Sequence, residues 1–547
     1  MKKITKYMLL CLIVFAFGAC YEDKGHYDHI YSNIEKLNYY SKQNVSTVTL
    51  GDTVKIFPTI TWVNPEVDTL AYDYFYVFSG DTICRERNLI IVPDEVGSFT
   101  GYLIAQERAT KLMTMVSVSY TVNSRFKTGW LILSEKEGRT ALSMLIQTRN
   151  YYNLDEGDEG YVDYEDGDIT ESGEVYGGGY LCSWEDGIDL YQELHPDSPL
   201  GSKPVSVDMG WVGYSNNYAE IVVIQENGDN WVLNANDFSK YYAFNEDFGS
   251  GVARAFEPVQ FIDALTSHYM VGKDGSIYWR KINASTMDSR QCRWENLLYF
   301  GNNGKITKIF DTWIYKLGAM LVYDETNKAI IPVTTVAQAN ESAAARLLDV
   351  TYGETIPDGF VLLGNTGEYT PVYVASIGSS SDYNSSTLFM LLKKGDKLYS
   401  QQCYAYVDDY SGVFKISKMQ APVEFPADGK VNENSIYMKC KYDSDYMFVA
   451  EGSRLYFYEM SIPERGLRLF KDFGSRITSV TENPASWMIG VALENGEFHL
   501  LGTYDRFFTG EGLGEQATYH VTKGLGKITD VVWKPSSYVG WAFGYNY

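Results

Sequence analysis

The densest run of reactive groups lies between Tyr151 and Tyr180, which hold ten Asp or Glu, no Lys or Arg, seven Gly, and tyrosines at 151, 152, 161, 164, 176 and 180. So many carboxylates raise the question of calcium, which asks for oxygen ligands at alternating positions with glycine at the sixth. Asp163, Glu165 and Gly167 fail at the third ligand, and Asp166, Asp168 and Thr170 are followed by Glu171 where the glycine belongs. No cofactor is therefore assigned, and calcium is the one metal the pattern leaves open. The tyrosines offer a second chemistry, since aromatic faces stack on sugars or peptide side chains at low entropic cost. Tyr151, Tyr152, Tyr161 and Tyr164 are the candidates in this stretch, and Trp184, Trp211, Tyr214 and Tyr218 add four more around Gly210 and Gly213. Core packing explains that second group equally well. Self-repelling carboxylates and glycines cannot build a core, so 151–180 is expected to be a loop, either a solvated insertion or a lid.

Catalytic sets are harder to find. The chain has no Gly-x-Ser-x-Gly elbow and no His-Glu-x-x-His. His195, His268, His499 and His520 are scattered, and His26 with His29 has no partner cluster nearby. Gly510, Gly512 and Gly514 alternate, but no helix follows to make a phosphate cradle. Nothing singles out a carboxylate pair for glycoside cleavage among the 70 acids. The expectation is a non-catalytic protein, with a glycosidase or lyase as the alternative and a structural adhesin as a third reading.

The N-terminus says where such chemistry would take place. Lys2, Lys3 and Lys6 precede the ten-residue apolar run from Met8 to Phe17, too short to span a bilayer. Phe17-Gly18-Ala19-Cys20 follows and resembles a bacterial lipobox, so Cys20 is the expected lipid attachment site and 1–19 the signal peptide. Acyl chains would anchor the protein to a membrane without spanning it. Losing 1–19 takes the formal charge from -24 to -27, since that segment holds three lysines and no acid. Such a balance excludes nucleic acid and adsorption on anionic lipid. Beyond Cys11 and Cys20, the five cysteines at 84, 182, 292, 403 and 440 are odd in number and widely spaced, which fits neither a disulfide framework nor a zinc site. A Cys403–Cys440 bridge is the one pairing left open.

The elements that must position these groups read as strands throughout. From 45 to 124, short strands alternate with turns, as in a β-sandwich. Val45 to Leu50 and Thr53 to Ile60 flank Gly51-Asp52 like a hairpin, and Tyr72, Tyr74, Tyr76 and Phe78 share one strand face. From 125 to 547 a unit recurs: an apolar strand, a polar turn with Gly or Asn, and a second strand. Its turns are Glu137-Gly138, Asn227-Gly228, Asp274-Gly275, Thr326-Asn327, Gly395-Asp396, Gly452-Ser453 and Asn495-Gly496, spaced 44 to 90 residues apart. Blades of a β-propeller repeat every 40–50 residues or so, with insertions in loops. The fold class is therefore all-β, an Ig- or PKD-like sandwich followed by a propeller of seven blades. The 90-residue gap leaves room for an eighth blade, and two packed sandwiches are the runner-up.

Cys20-Tyr21-Glu22-Asp23-Lys24-Gly25, the Tyr27-Asp28 that follows, and a sandwich with Trp62 before an aromatic strand resemble the PKD-like lipoproteins of Bacteroidetes over about 20–125. The acids after Cys20 resemble the export signal of that group for the outer face of the outer membrane. The resemblance implies a partner, a SusC/SusD-like outer-membrane importer, and a role in capturing extracellular glycan or peptide. The expected order is signal 1–19, anchor and tether 20–44, sandwich 45–124, and propeller 125–547 with the acidic loop at 151–180.

Overall fold

Alternation builds the N-terminal unit. In Tyr72–Phe78 the side chains of Tyr72, Tyr74, Tyr76 and Phe78 are buried while those between them are half-buried. The structure is a computed structural model. It describes residues 32–535 apart from 40–44, 65, 67–68, 153–160, 178, 212–218, 245–256, 264–266, 282–293, 297–303, 311–319, 335–345, 378–384, 409–412, 441–445, 461, 484–486 and 505–516. Cys20, His26 and His29 lie outside the described residues. The chain divides into two compact units, one ending at Asn123 and the other beginning at Ser124. No described helix is long and apolar enough to cross a membrane.

The first unit is a sandwich. One sheet runs Thr47–Thr49, Met113–Asn123, Gly97–Glu107, Tyr72–Phe78, Asp81–Cys84, and two strand pairs cover it, Ile34–Asn38 with Thr59–Trp62 and Val54–Ile56 with Leu89–Ile91. Ile34–Asn38 thus belongs to the sandwich, although it falls in the stretch expected as tether. The hairpin expected at Gly51-Asp52 is also corrected. The turn forms, with the Asp52 amide donating to the Thr49 carbonyl at 2.9 Å. Its arms then part: Thr47–Thr49 pairs in parallel with Thr121–Asn123, and Val54–Ile56 pairs with Leu89–Ile91. The reason is burial, because Val48 and Val54 enter the same core from opposite sheets. At one end of the sheet the Ser32 and Thr114 hydroxyls are hydrogen-bonded at 3.1 Å, and Asn123 closes the other end of the same 11-residue strand. The described chain therefore begins and leaves this unit at opposite ends, about 30 Å apart at strand rise.

The second unit is a ring of seven sheets. All seven turns read in the sequence join the second and third strands of a blade. In blade 1 these are Gly129–Lys136 and Arg139–Tyr151; in blade 7 they are Met488–Leu493 and Phe498–Gly502. Among its described residues the 90-residue gap holds no extra blade. It contains the insertion, the fourth strand Tyr180–Gly187, and a short helix, Leu190–Leu194. The first strand of blade 1 comes from the far end of the chain, where Lys527–Lys534 pairs antiparallel with Gly129–Lys136. That pairing closes the ring, and apolar clusters seal its junctions. Leu131 and Ile221 meet between blades 1 and 2, Phe244 and Met270 between 2 and 3, and Trp279 and Val322 between 3 and 4. Leu321 meets Leu388 between blades 4 and 5, and Phe389 meets Tyr456 between 5 and 6. One cluster then runs from blade 6 through 7 to Trp130 of blade 1. Central strands covered on both faces lose their alternation, which is why Met488–Leu493 is buried throughout. Cys403 and Cys440 are buried in different clusters and form no disulfide.

A second, polar layer stitches the inner strands. In six blades the inner strand carries a β-bulge on a β-branched residue: Val205, Val259, Thr307, Val372, Thr478 and Thr529. The residue after the bulge reaches across to a neighbouring blade at five junctions. Gln260 holds both backbone groups of Ile309, at 3.1 and 3.4 Å, and the Lys308 ammonium donates to the Pro371 carbonyl at 3.2 Å. The Lys439 amide donates to the Tyr373 hydroxyl at 2.8 Å. Asp530 accepts from the Val207 amide and from the Ser479 hydroxyl, both at 3.1 Å, joining blade 1 to blades 2 and 7.

Asp530 faces Asp208 across the inner strands. Crowding by protein and the second carboxylate push Asp208 well above the usual range, and burial raises Asp530 to about 6. An acid whose folded pKa is raised stabilises the fold below its unfolded pKa and loses that contribution as pH climbs through the folded value. The ring should therefore lose stability between pH 4 and 6 on this account. Asp530→Asn keeps an acceptor for Val207 and removes the charge. It should match the parent near pH 4 and exceed it by about 1–3 kcal/mol at pH 7, a range discounted for the partial exposure of both carboxylates. Denaturant midpoints at the two pH values measure this, and equal midpoint gaps at both would contradict it.

Candidate functional site

Strand direction gives the ring two different faces. The seven short turns lie on one. The connections between first and second and between third and fourth strands lie on the other, here called the loop face. The insertion leaves the third strand of blade 1 and returns to the fourth, where Tyr151 and Tyr180 pair through their backbones. In adjacent blade 2, Trp211 and Ala219 pair at the loop-face end of the first two strands. Tyr214 and Tyr218 lie outside the described residues.

The insertion is not the coreless loop that its composition implies. Residues 161–177 form a hairpin, with Ile169 bridged to Val175, and Val175–Gly177 adds a fifth outer strand to blade 1. Its core is aromatic. The ring of Tyr152 lies 5.4 Å from Tyr164 and 5.8 Å from Tyr176, and Tyr164 stacks on Tyr176 at 5.5 Å. The Tyr152 hydroxyl both donates to the Val162 carbonyl, at 3.0 Å, and accepts from its amide, at 2.8 Å. The Glu165 amide donates to an Asp168 carboxylate oxygen at 2.9 Å, and the Thr170 hydroxyl accepts from the Glu174 amide at 3.0 Å. Tyrosines supply the apolar area that the carboxylates cannot, so the acids stay outside: Asp163, Glu165, Asp166 and Glu171 are exposed. The result is a compact, negatively charged lobe with half-buried tyrosine edges. Gly177 packs so closely on the Tyr504 hydroxyl that a Cβ there would sit 2.6 Å from it, which seats the lobe against blade 7.

Of the sequence candidates, Tyr152 and Tyr164 are brought together with Tyr176, and Tyr161 is half-buried beside them in the chain. Trp184 is not a free platform. Its indole lies parallel to Tyr519 at 6.4 Å, packed between blades 1 and 7. Nearby, one Asp186 oxygen lies 3.0 Å from His520 Nε2 and accepts from the Thr522 hydroxyl at 2.6 Å, tying the outer strands of those blades together. The other described histidines are structural too. His195 Nε2 meets the Asp237 carbonyl at 2.8 Å and His499 Nε2 meets Glu497 at 3.2 Å. No three His, Cys, Asp or Glu converge among the described residues, calcium's carboxylates included.

Sequence reasoning missed a buried network between blades 2 and 3. Arg280, 1 % exposed, donates to Glu220 and to the Tyr242 hydroxyl, and through Nε to His268 Nδ1 at 3.0 Å. Its guanidinium also lies 5.0 Å over the ring of Trp294. Four polar groups on separate strands meet only after folding, so no local spacing could reveal them. The network is closed to solvent and therefore braces the ring.

The PKD-like family model matches residues 20–175, running past the sandwich to the outermost strand of blade 1. No curated protein matches the sequence. Solved structures similar to this chain include a quinoprotein alcohol dehydrogenase-like protein from Bacteroides thetaiotaomicron, 13 % identical, covering 91 % of this chain and 99 % of that one at a TM-score of 0.36. The dihydro-heme d1 dehydrogenase NirN is similar at 9 % identity, covering 88 % and 77 % at a TM-score of 0.35. The β-propeller domain of Cps50 from Myceliophteria thermophila is similar at 7 % identity, covering 59 % and 87 % at 0.31.

Proposed function

We propose that this is a lipid-anchored protein of the outer-membrane surface that captures glycan or peptide for, or docks onto, a SusC/SusD-like importer without catalysis. The observation that carries the reading is the acidic, tyrosine-cored lobe of blade 1, set on the loop face where the adjacent inner strand of blade 2 ends at Trp211. A closed ring supplies a rigid frame on which such loops vary without disturbing the core. The lipobox at Cys20, the acids after it and the PKD-like match support placement at the surface. The sandwich, entered and left at opposite ends, acts as a spacer above the membrane.

Cys20→Ala tests the anchor. The variant is expected to leave the membrane fraction, because the acyl chains are the membrane contact this reading supplies. The lipidated parent, purified from outer membranes, is expected to bring an importer subunit with it. An unchanged fractionation pattern for the variant contradicts the anchor. Turnover of a polysaccharide at an enzyme-like rate, with no importer co-purifying, moves the protein to the glycosidase reading.

A further inference from the structure

The connection from blade 4 to blade 5 lies on the face opposite the lobe. It runs as strand Asp349–Tyr352 along the outer edge of blade 5, parallel to Val413–Ser417, and then crosses residues 353–369 back to the inner strand at Thr370. This crossing is held unusually firmly. The buried Gln401 side chain spends both ends on Val361, accepting from its amide at 2.8 Å and donating to its carbonyl at 3.0 Å. The Leu363 amide donates to the Tyr352 hydroxyl at 3.1 Å, and the Thr366 amide donates to the Lys328 carbonyl at 2.7 Å. What this scaffold encloses is an open pocket of about 260 Å³ whose lining includes Phe360, Leu362, Asn365, Thr366, Glu368 and Tyr369.

Its chemistry narrows the ligand. The volume falls below the 300–1,000 Å³ or so of drug-sized sites, so one ring is the natural occupant. Glu368 is paired with Lys394 at 2.9 Å, and that ammonium also sits 5.1 Å over the ring of Tyr369, so the rim carries no net charge to prefer an ion. Asn365 uses Oδ1 to accept from the Gly367 amide at 3.0 Å, which leaves its amide nitrogen turned to donate elsewhere. Thr366 is 2 % exposed and its hydroxyl has no partner among the described residues. An aromatic wall and an amide donor beside a small, open pocket with no net rim charge match the apolar face and hydroxyl edge of a sugar ring.

We infer that this pocket binds one neutral pyranose unit of a glycan, as a site separate from the loop face and independent of the anchor and importer. The full chain without its signal peptide is titrated calorimetrically with maltohexaose, xylohexaose, mannohexaose, laminarihexaose and chitohexaose. At least one is expected to bind, with a dissociation constant on the order of 0.1–1 mM for so open a site. Tyr369→Ala and Asn365→Ala should each weaken that binding about tenfold while leaving the melting temperature in place. Lys394→Gln should change it less than threefold if the ligand is neutral. Tyr164→Ala, on the other face, should leave it unchanged, which separates this site from the lobe. No saturable binding of any of the five at 10 mM, or binding that survives both pocket changes, overturns the inference.

Discussion

A chain ended at Gly526 is expected to yield no soluble folded ring. The missing strand, Lys527–Lys534, is the innermost strand of blade 1 and lies between the inner strands of blades 7 and 2. Ile528, Val531 and Trp533 are almost fully buried, and Trp533 packs edge-on to Trp130 at 5.0 Å. Each such side chain contributes about 1.5–3 kcal/mol on burial, so three approach the whole net stability of a typical domain. The loss goes further, since Gly129–Lys136 becomes an open edge facing an emptied channel wall, a template for aggregation. Asp530 leaves with the strand, so the Val207 amide and the Ser479 hydroxyl lose their acceptor. Soluble yield, size-exclusion profile and thermal unfolding report the outcome. A truncated chain that unfolds cooperatively at the parent's temperature would show that this strand does not close the ring.

Arg280→Met should cost about 3–5 kcal/mol, because it strands the Glu220 carboxylate, 3 % exposed, without its cation. Most of the cost is desolvation of the orphaned charge, and the contact itself accounts for little. Adding Glu220→Gln in the same chain should therefore recover much of the loss, although each change alone destabilises. His268 and Tyr242 lose Arg280 as a donor in the double variant too, so recovery should stop short of the parent. Urea midpoints of the four chains complete the cycle. Strictly additive costs would mean that the two side chains do not act as a pair, and the network would not be the brace between blades 2 and 3.

The seven hairpin turns were legible because a tight connection forces particular residues. Gly138 sits at φ 75°, a left-handed value that glycine adopts without strain. Blade number followed from them, as did the inward stripe Tyr72, Tyr74, Tyr76 and Phe78, which is a period-two signal. Long-range pairings were not legible. Nothing local marks Lys527–Lys534 as the partner of a strand almost 400 residues earlier, nor sends the arms of Gly51-Asp52 to different sheets. Composition misled at 151–180, where ten acids masked three tyrosines able to build a small core of their own. The bulges had a faint signal, a β-branched residue before a polar one in six of the seven inner strands, visible only once the strands are aligned. Arg280 reads as an ordinary exposed strand residue in Ile277–Lys281 until Glu220 arrives from another blade. Trp184 shows that an aromatic in a blade is weak evidence for a platform, because blades consume such rings in packing one another.

The central claim is that the loop face of blades 1 and 2 is the contact face of a surface protein. Its most direct test places a photo-crosslinking amino acid at Tyr164, in the aromatic core of the lobe, and separately at Glu137, in the turn of blade 1 on the other face. Both chains are expressed with the lipid anchor in cells that carry the native importers, irradiated, and purified from outer membranes. The account predicts an adduct with an importer subunit from position 164 and none from position 137. Adducts from 137 alone, or equal adducts from both, would contradict it.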